Sequence, residues 1–454
     1  MAGIGFELEK ILDRGTLSSS VQGFFYSAIV NCGPWIFTII ALSLLGSSID
    51  TFLSVAQTAV FRGTVIYVFC FSLITTSPIT MVVTRHISDL IYEKNEHKIM
   101  GVFISSSILI FIVQSLSSFP FFLLINGSLF YRFNGFACYL LVSYIWHLMI
   151  FISAVKKYNS IVISFGIGML SALVLGNLIG QSYGLSGVLL GMNLGLVEIA
   201  FTLTARVCLE FNEALEFDLT FLKSFSRYWD LALFGLFYNL GIWVDKIVFW
   251  YSPTGEKINN LLYYHYPYDS AMFLAYLTAI PALSFFFIVV ETEFYRSYRS
   301  FFQNILQKRN LREIRLSHAS MKKTLIKSFS TMTQFQLVIA LIAIFIAPRF
   351  IESFQLNWAQ LYIFRVGVLA ATLQVFILLG SVIIFYLDFR KDAMIVAVVL
   401  FFTNWLFTRW SIAAGFENYG YGYFASTFLT FILTFILVNY RFRKFIYFTF
   451  FQSS

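Results

Sequence analysis

Charged side chains are scarce in this sequence of 454 residues. Only 12% of the residues are Asp, Glu, Lys or Arg, whereas 59% are hydrophobic. A typical soluble domain carries about 25% charged residues, so this chain has too few to cover a soluble surface of its size. The shortage excludes a cytosolic enzyme, a soluble nucleic-acid binder and a disordered scaffold. The class that remains is an all-α polytopic membrane protein.

Residues that build metal sites and disulfides are also rare. The sequence has four cysteines and five histidines. No two cysteines pair as CxxC, so the pattern predicts neither a metal site nor a disulfide framework. The chain also lacks P-loop, GxSxG and HExxH motifs. We therefore predict that it is not an enzyme, and that it has no catalytic residues, metal or cofactor.

Apolar runs of about 20 residues, the length that crosses a bilayer, recur along the whole chain. The predicted spans are 21–46, 58–83, 100–125, 134–155, 160–180, 184–205, 229–250, 269–290, 330–351, 360–387, 393–413 and 419–440. If both termini are cytoplasmic, 24 of the 31 lysines and arginines fall in inner segments. This asymmetry follows the positive-inside rule, and it supports twelve spans with both termini in the cytoplasm.

An acidic, polar connector near residue 211 divides the predicted spans into two sets of six. The first domain would be residues 1–210, six spans preceded by a short cytoplasmic helix. The second would be residues 211–454, six spans with a long basic cytoplasmic loop at 291–329. A proline inside a span removes a backbone hydrogen bond and marks either a hinge or a static kink. The predicted hinge residues are Pro34, Pro78 and Pro281.

Four segments resemble a known family. They are MAGIGFEL at Met1–Leu8, CGPW at Cys32–Trp35, WVDKIVFWYSP at Trp243–Pro253, and the long block Tyr268–Phe302. Together they are similar to the PelG family, the inner-membrane component of Pel exopolysaccharide export. The resemblance implies twelve transmembrane helices in two six-helix bundles around a central cavity, a fold shared with polysaccharide flippases and multidrug exporters.

The resemblance also implies a function and partners. The chain would export the amino-sugar-rich Pel glycan from the cytoplasm across the bacterial inner membrane. Its partners would be a cytoplasmic glycosyltransferase, membrane-anchored scaffold and regulatory proteins of the Pel system, and membrane lipid. A cation-coupled exporter of small molecules and a non-transporting scaffold of the synthase complex remain alternatives. A membrane-embedded glycosyltransferase is disfavoured, because the largest outer loop, about 251–268, has a single acid, Glu256.

Polar residues within or beside the spans are the candidates for a glycan path. Ionisable residues at membrane depth usually line a wet path or pair with one another. Amides can bind sugar hydroxyls, or they can join helices. The candidates are Asn31, Asn177, Glu198, Asn239, Asp245, Lys246, Glu291, Glu293, Arg365, Gln374 and Asn404. Asp245 and Lys246, near the outer end of span seven, could pair locally or lie at the exit of the path.

Two further features flank the spans. Tyr263, Tyr264, Tyr266 and Tyr421 could stack on sugar rings at the exit, or they could form an interfacial aromatic belt. After span eight, apolar residues recur at helical spacing over 294–305 among basic residues. This pattern predicts an amphipathic cytoplasmic helix. It would dock the glycosyltransferase or lie on anionic headgroups.

Overall fold

The computed structural model describes residues 17–155, 158–212, 217–289, 293–353 and 357–451. Helices dominate this part of the chain. In chain order they are α1 Leu17–Ile49, α2 Val55–Tyr92, α3 Ile99–Leu124, α4 Leu129–Val155, α5 Tyr158–Glu210, α6 Phe221–Arg227, α7 Trp229–Trp250, α8 Tyr266–Leu277, α9 Ile280–Val289, α10 Tyr295–Leu306, α11 Leu311–Ser353, α12 Trp358–Tyr386, α13 Arg390–Ala413, α14 Tyr421–Arg443 and α15 Phe445–Phe451. Short 3₁₀ turns occupy Glu96–Lys98 and Phe416–Asn418, and strands β1 Glu256–Lys257 and β2 Tyr263–Tyr264 form a hairpin.

Ten helical segments of the described chain are long and apolar enough to cross a membrane. One of them, within α5, contains two predicted spans, because α5 has 53 residues and breaks at Gly184. Gly184 has φ 59°, a left-handed conformation that glycine adopts without steric cost. With α5 counted twice and the 33-residue α1 included, the described helices supply twelve segments. The prediction of an all-α polytopic membrane protein is confirmed.

The chain packs as two compact units. One contains Gly33–Trp243 and Phe249–His265. The other contains Val244–Val248, the described residues from Tyr266 onward, and residues 17–32. Below they are called the N-terminal and C-terminal units. The predicted short helix at the N-terminus falls outside the described residues.

In the N-terminal unit, the two halves of α5 pack closely through glycine. A Cβ atom added at Gly191 would clash with the backbone of Gly176, and one added at Gly195 would clash with the carbonyl of Gly168. Small residues allow helix backbones to approach each other in membranes. The glycines therefore explain how α5 folds back on itself after Gly184.

The hairpin after α7 is fastened to the same unit. The Asn259 side chain donates to the Asn126 carbonyl at 2.9 Å, and the Asn126 amide donates to the Asn260 side chain at 2.8 Å. The Tyr263 amide donates to the Tyr67 hydroxyl at 3.1 Å, and that hydroxyl donates to the Tyr263 carbonyl at 3.1 Å. The hairpin therefore holds part of the predicted outer loop 251–268 in a fixed structure.

The prolines behave differently from one another. Pro78 lies inside α2, which continues through it. The carbonyl of Ile74, which loses its usual donor four residues on, accepts a hydrogen bond from the Ser77 hydroxyl at 3.0 Å. Pro34 also lies inside a continuous helix, α1. Pro281 is the second residue of α9, so the predicted span 269–290 is two helices rather than one.

The described part of the basic segment 291–329 is mostly helical, with a short break at 307–310. The amphipathic helix predicted over 294–305 is present as α10, and α11 supplies the rest of the segment. The two helices therefore occupy most of the described part of the predicted cytoplasmic loop. Phe294 and Phe301 are fully buried, and the Phe301 ring lies 5.4 Å from that of Phe445. The apolar face of α10 thus packs against protein.

A buried charged cluster as the candidate functional site

The strongest candidate site is a buried ion pair near the C-terminal end of α7. Asp245 is fully buried and Lys246 is 7% exposed. Lys246 Nζ donates hydrogen bonds to both carboxylate oxygens of Asp245, at 3.1 and 3.0 Å. Successive side chains on a helix do not face each other, so this contact uses the length of the flexible lysine stem. Two opposite charges thus lie together inside the C-terminal unit.

Two other helices hold the Asp245 carboxylate. The Tyr268 hydroxyl on α8 donates to Oδ2 at 2.7 Å, and the Asn404 amide nitrogen on α13 lies 3.5 Å from Oδ1. The Asn404 side-chain oxygen accepts a hydrogen bond from the Thr408 hydroxyl at 2.9 Å. Tyr268 and Asn404 are fully buried. These partners satisfy oxygens that would otherwise be costly to remove from water.

Aromatic side chains surround the Lys246 ammonium. Nζ donates to the Tyr276 hydroxyl at 3.2 Å, and it lies 4.7 Å from the centre of the Tyr276 ring and 5.4 Å from that of Tyr423. A cation over an aromatic face at this distance is attracted by the ring. The Tyr423 hydroxyl on α14 donates to the Gln374 side chain on α12 at 2.5 Å. We call these eight residues the Asp245 cluster: Asp245, Lys246, Tyr268, Tyr276, Gln374, Asn404, Thr408 and Tyr423.

The Asp245 cluster contains two buried charges, and removing charges from water is energetically unfavourable. If one partner were lost, the other would stay buried and uncompensated, at a cost of about 3–5 kcal/mol. Ionisable side chains at membrane depth line transport paths or pair with each other, and these two pair. Because five helices contribute to the cluster, a rearrangement of these helices would change the environment of both charges.

The structure brings four of the predicted path residues together in this cluster, namely Asp245, Lys246, Gln374 and Asn404. Of the two arrangements considered for Asp245 and Lys246, local pairing is the one observed. The predicted path residues did not include the tyrosines or Thr408. The sequence held a signal for the tyrosines. Most aromatic residues of this chain are Phe, so a Tyr within a span stands out, and a buried Tyr hydroxyl needs a hydrogen-bond partner.

Two predicted amides bond to their own helices. The Asn177 side chain donates to the Leu173 carbonyl, and the Asn239 side chain donates to the Gly235 carbonyl, both at 2.9 Å. Both asparagines are half-buried. Each of these contacts leaves the side-chain oxygen available for another partner, so they do not separate a path role from a structural one.

The two deepest predicted charges outside α7 are not part of the Asp245 cluster. Glu198 is half-buried on α5, where its backbone carbonyl accepts a hydrogen bond from the Thr202 hydroxyl at 2.8 Å. Arg365 is half-buried on α12. Its Nε is buried and has no hydrogen-bond partner among the described residues.

The remaining candidates lie at the edges of the described structure. Glu293 is exposed just before α10, whereas Glu291 and the side chain of Asn31 fall outside the described part. Of the predicted exit aromatics, Tyr263 and Tyr264 are half-buried on β2. Tyr266 and Tyr421 are each 46% exposed, as an aromatic belt or a stacking site requires.

The sequence as a whole matches one protein family. Residues 1–450 match the family PelG, described as "Putative exopolysaccharide Exporter (EPS-E)". The chain belongs to the PelG family. No curated protein matches the chain significantly. Membership makes this PelG protein a membrane exporter concerned with exopolysaccharide export.

Solved structures share the fold of this PelG chain. An outward-facing multidrug resistance MATE family transporter of the MOP superfamily has a TM-score of 0.67 at 12% identity, covering 92% of this chain and 96% of its own. An inward-facing one has a TM-score of 0.60 at 13% identity, covering 92% and 98%. A MOP superfamily transporter from Pyrococcus furiosus has a TM-score of 0.65 at 12% identity, covering 92% and 96%. At these identities the likeness establishes the fold alone.

Proposed function

We propose that this PelG chain moves a Pel-type, amino-sugar-rich exopolysaccharide from the cytoplasm outward across the bacterial inner membrane. The observation that carries this proposal is the family match over residues 1–450. A transporter fold and a multi-pass helical chain support it. The distribution of lysine and arginine supports cytoplasmic termini.

Export is coupled to synthesis in this proposal. A cytoplasmic glycosyltransferase supplies the growing glycan, and membrane-anchored scaffold and regulatory proteins hold the two activities together. Residues 1–210 and 211–454 act as the two bundles of the transporter. The polar candidates line the glycan path, and the exposed Tyr266 and Tyr421 meet sugar rings where the path ends.

We assign the Asp245 cluster the task of holding the C-terminal unit in the arrangement that export requires. It joins α7, α8, α12, α13 and α14 through buried polar contacts. Buried ionic groups can specify one packing over another. Loss of the pair should therefore impair export even in a variant that remains folded.

The test is a strain that lacks this chain, with cytoplasmic and cell-surface glycan measured separately. Glycan that is made but trapped in the cytoplasm, and that reaches the surface when the wild-type chain is restored, would support export. Glycan absent from both pools would show that synthesis itself needs the chain. The scaffold alternative would then replace an independent transporter.

A further inference from the structure

The first half of α11 carries an open groove that export of a glycan does not explain. Its volume is about 480 Å³, and its lining residues are Ala319, Lys322, Lys323, Ile326, Lys327 and Ser330. Their spacing places them on one face of a helix. Lys323 and Lys327 are exposed and Lys322 is half-buried. None of the three lysines forms an ion pair with another described residue.

The groove lies next to the predicted start of the membrane span on α11. The predicted span begins at residue 330, and a helix rises 1.5 Å per residue. Lys327 and Lys322 therefore lie about 5 and 12 Å before that point along the helix axis. By the positive-inside count this is the cytoplasmic side, where anionic lipids attract basic side chains.

Beyond Ser330 and Gln334, the same face of α11 becomes apolar and is uncovered. Val338, Leu341 and Phe345 continue the line of Lys323 and Lys327 at helical spacing, and they are 55%, 60% and 85% exposed. In the hydrophobic window of α11 only 17% of the residues are buried, the smallest share among the ten candidate spans of the described chain. The three lysines thus precede the apolar stripe on one face, with about 16 Å along the helix axis between Lys327 and Val338.

We propose that this groove is a binding site for an anionic phospholipid. Lys322, Lys323 and Lys327 contact the headgroup phosphate, Ser330 supplies a hydroxyl at the level of the glycerol, and the acyl chains follow the stripe of Val338 and Leu341. A free phosphate would use the groove without the stripe. A phospholipid, unlike free phosphate, combines an anionic end with apolar chains in the order that α11 presents. The site is separate from the Asp245 cluster and does not depend on the exported substrate.

The test is native mass spectrometry of the full chain in mild detergent, titrated with phosphatidylglycerol and, separately, with phosphatidylcholine. A lysine near an anionic lipid contributes about fivefold in affinity, so three contribute about a hundredfold. The wild-type chain should retain phosphatidylglycerol in preference to phosphatidylcholine. The triple variant K322Q/K323Q/K327Q should lose this preference, with affinity lower by about a hundredfold.

A matched control removes the same charge from the turn before the groove, in the variant K308Q/R309Q/R312Q. It should bind phosphatidylglycerol almost as the wild type does, and so should K322R/K323R/K327R. If both glutamine variants lost affinity for phosphatidylglycerol equally, the proposed site would be overturned. Anionic lipid would then be attracted by the basic segment as a whole. If excess inorganic phosphate displaced the lipid, the groove would be a site for free phosphate and the proposal of a phospholipid site would be overturned. A groove variant that keeps its lipid yet loses glycan secretion would point to a cytoplasmic protein partner and would also overturn it.

Discussion

Replacing Lys246 by methionine should destabilise the folded chain more than almost any other single change of a charged residue. The substitution removes the two hydrogen bonds from Nζ to the Asp245 carboxylate, and it leaves that carboxylate fully buried. An uncompensated buried charge of this kind costs about 3–5 kcal/mol. The free energy of unfolding in mild detergent, measured by denaturant titration, should fall by this amount.

The double variant D245N/K246M should recover most of that loss. Apolar or neutral groups that fill the place of a buried ion pair are often as stable as the pair itself. The Tyr268 hydroxyl can still donate to the side-chain oxygen of an asparagine, so its contact survives. A double-mutant cycle with D245N, K246M and the double variant gives the coupling energy directly.

An exposed pair provides the control. Arg62 and Asp50 lie 3.0 Å apart with about half of each side chain exposed, and pairs of this kind contribute less than about 1 kcal/mol. Arg62→Met should therefore change stability little. If Lys246→Met were as mild as Arg62→Met, or if the double variant were no more stable than Lys246→Met, the assignment of a buried, mutually dependent pair would be refuted.

Three further predictions follow from the packing and the charges. Gly191→Ala should lower the free energy of unfolding by about 1–3 kcal/mol, because the added Cβ would press on the backbone of the other half of α5. The control is Gly166→Ala on the same helix, where a Cβ meets nothing within 4 Å. It should change the free energy of unfolding by less than about 1 kcal/mol. Asn260→Ala removes the acceptor of the Asn126 amide, so hydrogen exchange at that amide should become faster, and unchanged exchange would contradict the docked hairpin. Burial lowers the pKa of His265 below its ordinary value of 6.5, so the folded state favours the neutral ring. The contribution of His265 to the free energy of unfolding should therefore be greatest above about pH 6.5 and should decrease as the pH drops below it. In unfolding measurements over a pH series, His265→Phe should lose less stability than the wild type as the pH drops below about 6.5. An identical pH profile in the variant would contradict this role of His265.

Most of the fold was accessible from the sequence because the bilayer imposes a simple rule. A span needs about 20 apolar residues. The structure adds where α5 bends, at Gly184, and that the predicted span 269–290 is two helices. The amphipathic α10 was also predictable from its spacing. Proline was a poorer guide, since α2 continues through Pro78, whereas a new helix starts next to Pro281.

The sequence predicted only half of the residues in the Asp245 cluster. Asp245 and Lys246 stand out because charges are rare in the spans, and the possibility of local pairing could be foreseen. Tyr268 and Asn404 contact them from other helices, and no sequence spacing indicates which residues of separate helices meet. The hairpin was missed because two-residue strands are too short to show an alternating pattern.

The most direct measurement of export uses inside-out membrane vesicles from cells that make the polymer, supplied with labelled nucleotide sugars. If this chain exports the glycan, labelled polymer should enter the vesicle lumen and resist an added glycosidase until detergent opens the membrane. Vesicles with D245N/K246M in place of the wild-type chain should make polymer that stays accessible to the glycosidase. Polymer that enters the lumen equally well without this chain would contradict export by this protein.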